Sequence, residues 1–291
     1  MTGRFICRHT GAAIAALFLS ASSIADGLPK PPTAYFGDYG YCALILSTNR
    51  HQQSLIEAGP KQCSLQLSPC STFKLPNTLI GLQTGVISGP GDLKRWDGKP
   101  RNREANNKDH TLQTAITESI PWYFQEIARD VGSQRMSAWL KELNYGNQDI
   151  SAGIDVFWLG SSLKIDPHGQ MELIKQLWHG RLPFKPEYQQ QLRDMLVQDS
   201  ELKGTLHGKT GSCTGAANQS PPDHGWYIGW IDWDTGNPAG IDTTFFVVNI
   251  TGADARGSEA RKITLNMLQG LQADKPSKQQ SDNVSRPNDS T

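Results

Sequence analysis

A chain of 291 residues with 37 % hydrophobic content carries enough apolar material for one large domain or two closely packed parts, which excludes global disorder. Its 28 basic residues balance 28 acidic ones, so no strong field directs it to nucleic acid or to an anionic membrane surface.

Arg4 and Arg8 precede the apolar run Ala12 to Leu19, which gives way to small residues ending at Ala25. This is the layout of a secretory signal peptide over residues 1–25. The apolar run is too short to span a bilayer, and no later segment reaches about 20 apolar residues, so a periplasmic or secreted protein without a membrane span is expected. Cys7 would leave with the signal. The four remaining cysteines, Cys42, Cys63, Cys70 and Cys213, suggest two disulfides in an oxidising compartment, with three possible pairings. No C-x-x-C, H-E-x-x-H or H-x-H pattern is present, so no metal is expected.

From Gly40 to Ser47 the sequence reads as a strand, with a turn at Thr48 to Arg50 and a second strand before Cys63; strands so placed allow a Cys42–Cys63 bridge. Pro69 then turns the chain into Cys70-Ser71-Thr72-Phe73-Lys74 and the apolar run Leu79 to Leu82, a helix start. On such a helix Ser71 and Lys74 share a face three residues apart, where an uncharged amine can take the serine proton. Ser-x-x-Lys is a weak pattern that recurs at Ser161/Lys164 and Ser200/Lys203, so spacing alone does not choose among the three.

Residues 85–107 form a long polar excursion. Phe124 to Val131 reads as a helix ended by Gly132, with Ser133 as the cap of the next, whose Met136, Trp139, Leu140 and Leu143 make an apolar stripe. Further helices are expected over about 167–179 and 186–198, each opened by a proline. Beyond residue 200 the texture changes to three antiparallel strands, Gly204 to Gly211, Gly225 to Ile231 and Thr243 to Ile250, and then to a helix over about 258–271. Residues 273–291 have the composition of a disordered tail. Strands at both ends with helices between them predict an α+β fold. Terminal segments share one antiparallel sheet flanked by helices, an inserted all-helical region occupies about 85–200, and the active site lies in the cleft between; the whole domain covers 26–272.

Five blocks now stand in order: Pro69-Cys70-Ser71-Thr72-Phe73-Lys74, Ser119 with Phe124-Gln125 following, Tyr145-Gly146-Asn147, Phe157-Trp158-Leu159, and Lys209-Thr210-Gly211 with Gly225-Trp226. Together they resemble the serine β-lactamases and penicillin-binding proteins, and within them the class D, oxacillinase-type β-lactamases. The resemblance spans nearly all of the mature chain. It implies that Ser71 attacks the carbonyl of a small-molecule β-lactam and that Lys74 is the general base. The base would be a carbamate made by uptake of CO2, with no other cofactor. Only a neutral amine reacts with CO2, so the lysine must be desolvated, and Phe73, Pro121, Phe124, Trp158 and Leu159 are the implied walls of its pocket. Ser119 and Lys209 would serve the leaving nitrogen. Thr210, Gly211 and Arg261 would bind the substrate, and the N–H groups of Ser71 and Ser212 would form the oxyanion hole.

One block departs from the family. Its usual Ser-x-Val is here Ser119-Ile120-Pro121, with proline where a valine covers the modified lysine; proline is apolar but differs in shape and has no N–H. Cys70 and Cys213 both fall at the implied cleft, as in some class A enzymes, which suggests that they pair and leaves Cys42 with Cys63. A monomer or homodimer is expected. The rival readings are a β-lactam sensor and a D,D-peptidase, both acylated with slow turnover.

Overall fold

The computed structural model describes residues 28–49, 52–214, 223–234 and 242–273. The expected signal segment and C-terminal tail lie outside the described residues, apart from the tail's first residue, Ala273. The chain opens with a short helix, α1 (Thr33–Phe36), and a hairpin, β1 (Gly40–Thr48) and β2 (Gln53–Ala58), followed by α2 (Pro60–Cys63). A 3-10 turn at Cys70–Phe73 runs straight into α3 (Lys74–Gln83). Between here and the second group of strands lie β3 (Leu93–Lys94), β4 (His110–Thr111), α4 (Leu112–Thr117), α5 (Pro121–Val131), α6 (Ser133–Glu142), α7 (Pro167–Trp178) and α8 (Pro186–Met195). The chain closes with β5 (Val197–Gln198), β6 (Gly204–Cys213), β7 (His224–Trp233), β8 (Asp242–Thr251) and α9 (Gly257–Ala273).

Six strands form one sheet in the order β2-β1-β8-β7-β6-β5, antiparallel throughout. The N-terminal hairpin enters beside the C-terminal β8, with Gly40 opposite Thr251 and Thr48 opposite Thr243, which is the expected meeting of the two ends. β7 and β8 are buried on both faces, and accordingly read as apolar runs rather than alternations. One core lies between the sheet and the inserted helices and holds Phe73, Leu79, Phe124, Phe157, Trp158 and Trp226. The other, on the opposite face, seats α1 and α9 through Phe36, Tyr227, Phe246 and Met267. Burial of these side chains supplies the main driving force, at about 1.5–3 kcal/mol for each large apolar group.

The insert is not wholly helical, because β3 and β4 pair within the polar excursion, Leu93 opposite Thr111 and Lys94 opposite His110. Two-residue strands leave no alternation to read. At α6, Gly132 is the cap (φ 79°) and Ser133 is already helical, so the glycine's left-handed freedom makes the break rather than a serine side chain.

The sheet's position creates the cleft. β5 covers the outer edge of β6 only opposite Leu206 and His207, and past that point β6 runs alongside the 3-10 turn. A Cβ on Gly211 would meet Pro69 O at 2.8 Å and Thr72 N at 3.3 Å, so the lack of a side chain is what lets strand and turn approach this closely. A Cys70–Cys213 disulfide joins the same two elements, and a Cys42–Cys63 disulfide ties β1 to α2.

Candidate active site

Lys74 Nζ donates to Ser71 Oγ at 2.9 Å. The 3-10 turn carries Ser71 and α3 begins at Lys74, so the three-residue spacing brings hydroxyl and amine together as the local geometry dictates. Lys74 is buried and its Nζ lies 5.2 Å from the centre of the Phe124 ring. Burial, then the nearby charges of Lys209 and Arg103, push its pKa well below that of an ordinary lysine. An amine so placed gives up its proton more readily than an ordinary lysine, which makes it a candidate base or nucleophile. Of the two other Ser-x-x-Lys pairs, Ser161 spends its hydroxyl on Val156 O rather than on Lys164.

The second pair faces the first. Lys209 Nζ donates to Ser119 Oγ at 2.9 Å and to Thr210 O at 3.1 Å, and burial followed by the charge of Arg103 brings its pKa down to about 7. Ser119 has φ 56° and Cys70 has φ 47°, two non-glycine residues in the left-handed region beside the reacting groups. Such strain persists only where the surroundings hold it, here a lysine on one and a disulfide on the other.

Every expected block has a structural task around these pairs. Phe73 contacts Tyr145, Phe157 and Trp158 through its ring, making the floor under Ser71 and Lys74. Gly146 has φ 52°, and an added Cβ would strike the Lys164 carbonyl. Asn147 takes Lys164 N–H at 2.9 Å and gives its amide to Ser162 O at 2.9 Å, which pins the loop that carries Trp158. Pro121 opens α5 at its first residue, half-buried, one helical turn before Phe124. Leu159 departs from expectation: it is 37 % exposed, because the chain is already turning outward to Gly160, and it is not part of the buried wall.

The chain as a whole is similar to known proteins. The penicillin-binding protein transpeptidase domain family matches residues 42–269. A probable β-lactamase, YbxI of Bacillus subtilis strain 168, is 40 % identical over 208 residues, 72 % of this chain and 73 % of its own. β-Lactamase OXA-48 of Klebsiella pneumoniae is 30 % identical over 266 residues, 88 % of this chain and 96 % of its own. A crystal structure of a class D β-lactamase from Bacillus subtilis superposes with a TM-score of 0.73 at 36 % identity, covering 82 % of this chain and 94 % of that one.

The chain belongs to the class D serine β-lactamases.

In this class D enzyme the remaining expected residues fall on β6 and α9. Thr210 is half-buried, Gly211 faces the nucleophile turn, and Ser212 is exposed with its Oγ accepting from Gly257 N–H at 2.9 Å. Arg261 donates to Gln198 Oε1 and Asp199 O, both at 3.2 Å, which sets its guanidinium where β5 stops covering β6. Among the described residues, one cluster has metal-type ligands, Cys70, Cys213 and His224, and two of its members are consumed in the disulfide.

Three residues at the site escaped the sequence reading. Buried Ser68 donates to Trp158 O at 2.8 Å and accepts from Gly160 N–H at 2.9 Å, while its own carbonyl accepts from Trp226 Nε1 at 2.9 Å. It joins the nucleophile turn to the aromatic loop and to β7. Gln170 donates to Thr72 Oγ1 at 2.8 Å, bracing the turn from behind. Its signal was available, since a glutamine at 170 shares an apolar stripe with Ile174 and Leu177 on α7. The third, Arg103, left no signal because it sits among many charges in a polar loop.

Proposed function

We propose that this β-lactamase works through an acyl-Ser71 intermediate with Lys74, carboxylated by CO2, as the base for both acylation and deacylation. Neutral Lys74 takes up CO2 and releases one proton, leaving an N-carboxylate. That carboxylate accepts the Ser71 proton as Oγ bonds to the lactam carbonyl carbon. Ring C–N cleavage follows, with Ser119 passing a proton to the nitrogen and Lys209 resupplying Ser119. The carbamate then passes the proton it took from Ser71 back to the Lys209/Ser119 pair, which restores base and acid alike. It next takes a proton from water as the water oxygen bonds to the acyl carbon, and returns that proton to Ser71 Oγ as the ester C–O bond breaks and the acid leaves. The N–H groups of Ser71 and Ser212 receive the developing oxyanion, a contribution of about 2.7–4 kcal/mol per donor in comparable sites. Thr210 and Arg261 take the substrate carboxylate, and Trp158 N–H donates to the carbamate.

The observation that carries this reading is the Lys74 amine, buried against Phe124 at 2.9 Å from Ser71 Oγ. In that setting the neutral form that CO2 requires is favoured, and once carboxylated its negative charge holds neighbouring Lys209 protonated. Residues 1–25 direct export, which places the enzyme where it protects a cell from β-lactam antibiotics; among the described residues no helix is long and apolar enough to cross a membrane. Steady-state hydrolysis of a chromogenic cephalosporin, with CO2-depleted buffer against added bicarbonate, tests the base. Turnover should rise with bicarbonate. A single stoichiometric burst in both buffers would instead identify a sensor or a slowly deacylating D,D-peptidase, and turnover indifferent to bicarbonate would refute the carbamate.

A further inference from the structure

Arg103 carries a charge that acts on both site lysines yet has no task in the reaction just described. It lies at the end of the excursion between β3 and β4, where the backbone is tightly held. Arg101 makes two hydrogen bonds to the Asp97 carboxylate at 2.9 and 3.0 Å, its N–H and C=O are both taken by the Asn107 amide, and Trp122 Nε1 donates to Asn106 O at 3.0 Å. The next stretch is fixed by His110 against Ala105 O at 2.7 Å. The Arg103 side chain is half-exposed, and its ion pair among the described residues is a loose contact with Glu118 at 3.5 Å, itself 40 % exposed. Glu118 is the residue before Ser119, so this contact ties the guanidinium to the segment that carries the serine bonded to Lys209.

The position matters because three cations converge there. The Arg103 charge acts on both Lys74 and Lys209 and disfavours the protonated form of each. A guanidinium facing solvent beside two buried lysines, held only by a long, exposed ion pair, can exchange that partner for an anionic group of a ligand.

Resting on the β-lactamase reading, we infer that Arg103 is a specificity-determining residue that recognises a second anionic group on the substrate, selecting β-lactams whose acyl side chain carries its own carboxylate. The ring carboxylate goes to β6, as in any substrate of this site, and the side-chain carboxylate exchanges with Glu118 for the Arg103 guanidinium. Glu118 is thus the resting counter-ion and the competitor.

Carbenicillin and benzylpenicillin test this directly, because they differ by one side-chain carboxylate. The readout is the ratio of kcat/KM for carbenicillin to that for benzylpenicillin, measured in the full enzyme at low and at high salt. Arg103→Ala should lower the ratio about three- to fivefold, the scale of a solvent-exposed ion pair, chiefly through the KM for carbenicillin. Arg103→Lys should restore part of it, Glu118→Gln should raise it, and added salt should shrink the wild-type preference towards the Arg103→Ala value. An unchanged ratio in Arg103→Ala, or an equal loss on both substrates, would overturn the inference. Benzylpenicillin turnover by the wild type reports separately on the underlying lactamase activity.

Discussion

Ser68→Ala isolates the brace behind the nucleophile. The hydroxyl is fully buried, donates to Trp158 O and accepts from Gly160 N–H, and alanine leaves both groups without that partner. The Trp158 carbonyl belongs to a buried residue and bears most of the desolvation cost, about 1–3 kcal/mol, while Gly160 is exposed and its N–H is partly rehydrated. The sum is about 2–4 kcal/mol. A domain of this size shifts by about 2–4 °C for each kcal/mol, so Tm should fall by about 5–15 °C. Activity should fall as well, because the loop that positions Trp158 and the turn that carries Ser71 lose their direct link. Thermal unfolding followed by circular dichroism, with kcat on a chromogenic cephalosporin, measures both. Ser161→Ala is the matched control: its hydroxyl bonds to Val156 O on the exposed side of the same loop, where water replaces it, and the cost should stay within about 0.5 kcal/mol. If Ser68→Ala matched Ser161→Ala in both Tm and kcat, the brace would have no energetic reality.

Two further expectations follow from the cleft. Gly211→Ala puts a methyl 2.8 Å from Pro69 O and 3.1 Å from Thr72 Cγ2, atoms of a turn locked by a disulfide and by Gln170. The strand must give, at a cost of about 1–3 kcal/mol, and kcat should drop about tenfold as the proposed oxyanion donors part; wild-type kcat in a folded Gly211→Ala enzyme would exclude the close approach as a functional requirement. The buried lysines also set a pH dependence of stability. Lys74 and Lys209 have lowered pKa values, the latter about 7, so between about pH 7 and the ordinary lysine range the unfolded chain binds protons that the native state does not. Stability should therefore rise with pH across that window. Above about pH 10 it should fall again, because Tyr123, Tyr145 and Tyr227 have raised pKa values and ionise more readily once unfolded. Urea unfolding in CO2-depleted buffer at pH 7, 9 and 11 measures the two slopes, and a flat profile from pH 7 to 9 would contradict the burial of the two amines.

Much of this enzyme could be read from sequence because its determinants are local. The period of the apolar residues marked α5 to α9 and the strands β1, β6, β7 and β8, and the Ser71/Lys74 pair followed from a three-residue spacing at a helix start. Order of blocks along the chain was enough to point to the class D enzymes. Short elements such as β3 and β4 were not legible, since two residues show no periodicity.

What only tertiary structure decided are the relations between residues far apart in the chain. Three Ser-x-x-Lys pairs are equal in spacing, and where Pro69 and the order of blocks single out Ser71/Lys74, burial against Phe124 and the approach of Lys209 from β6 are what give that pair its chemistry. The cysteine partners, the bond from Ser68 to a loop 90 residues away, the outward turn that leaves Leu159 exposed, and the convergence of Arg103 on two lysines all depend on which surfaces the sheet and the inserted helices bring together. An amine's proton affinity is set by the dielectric and the charges around it, and those neighbours come from packing rather than from the residues beside it in the chain.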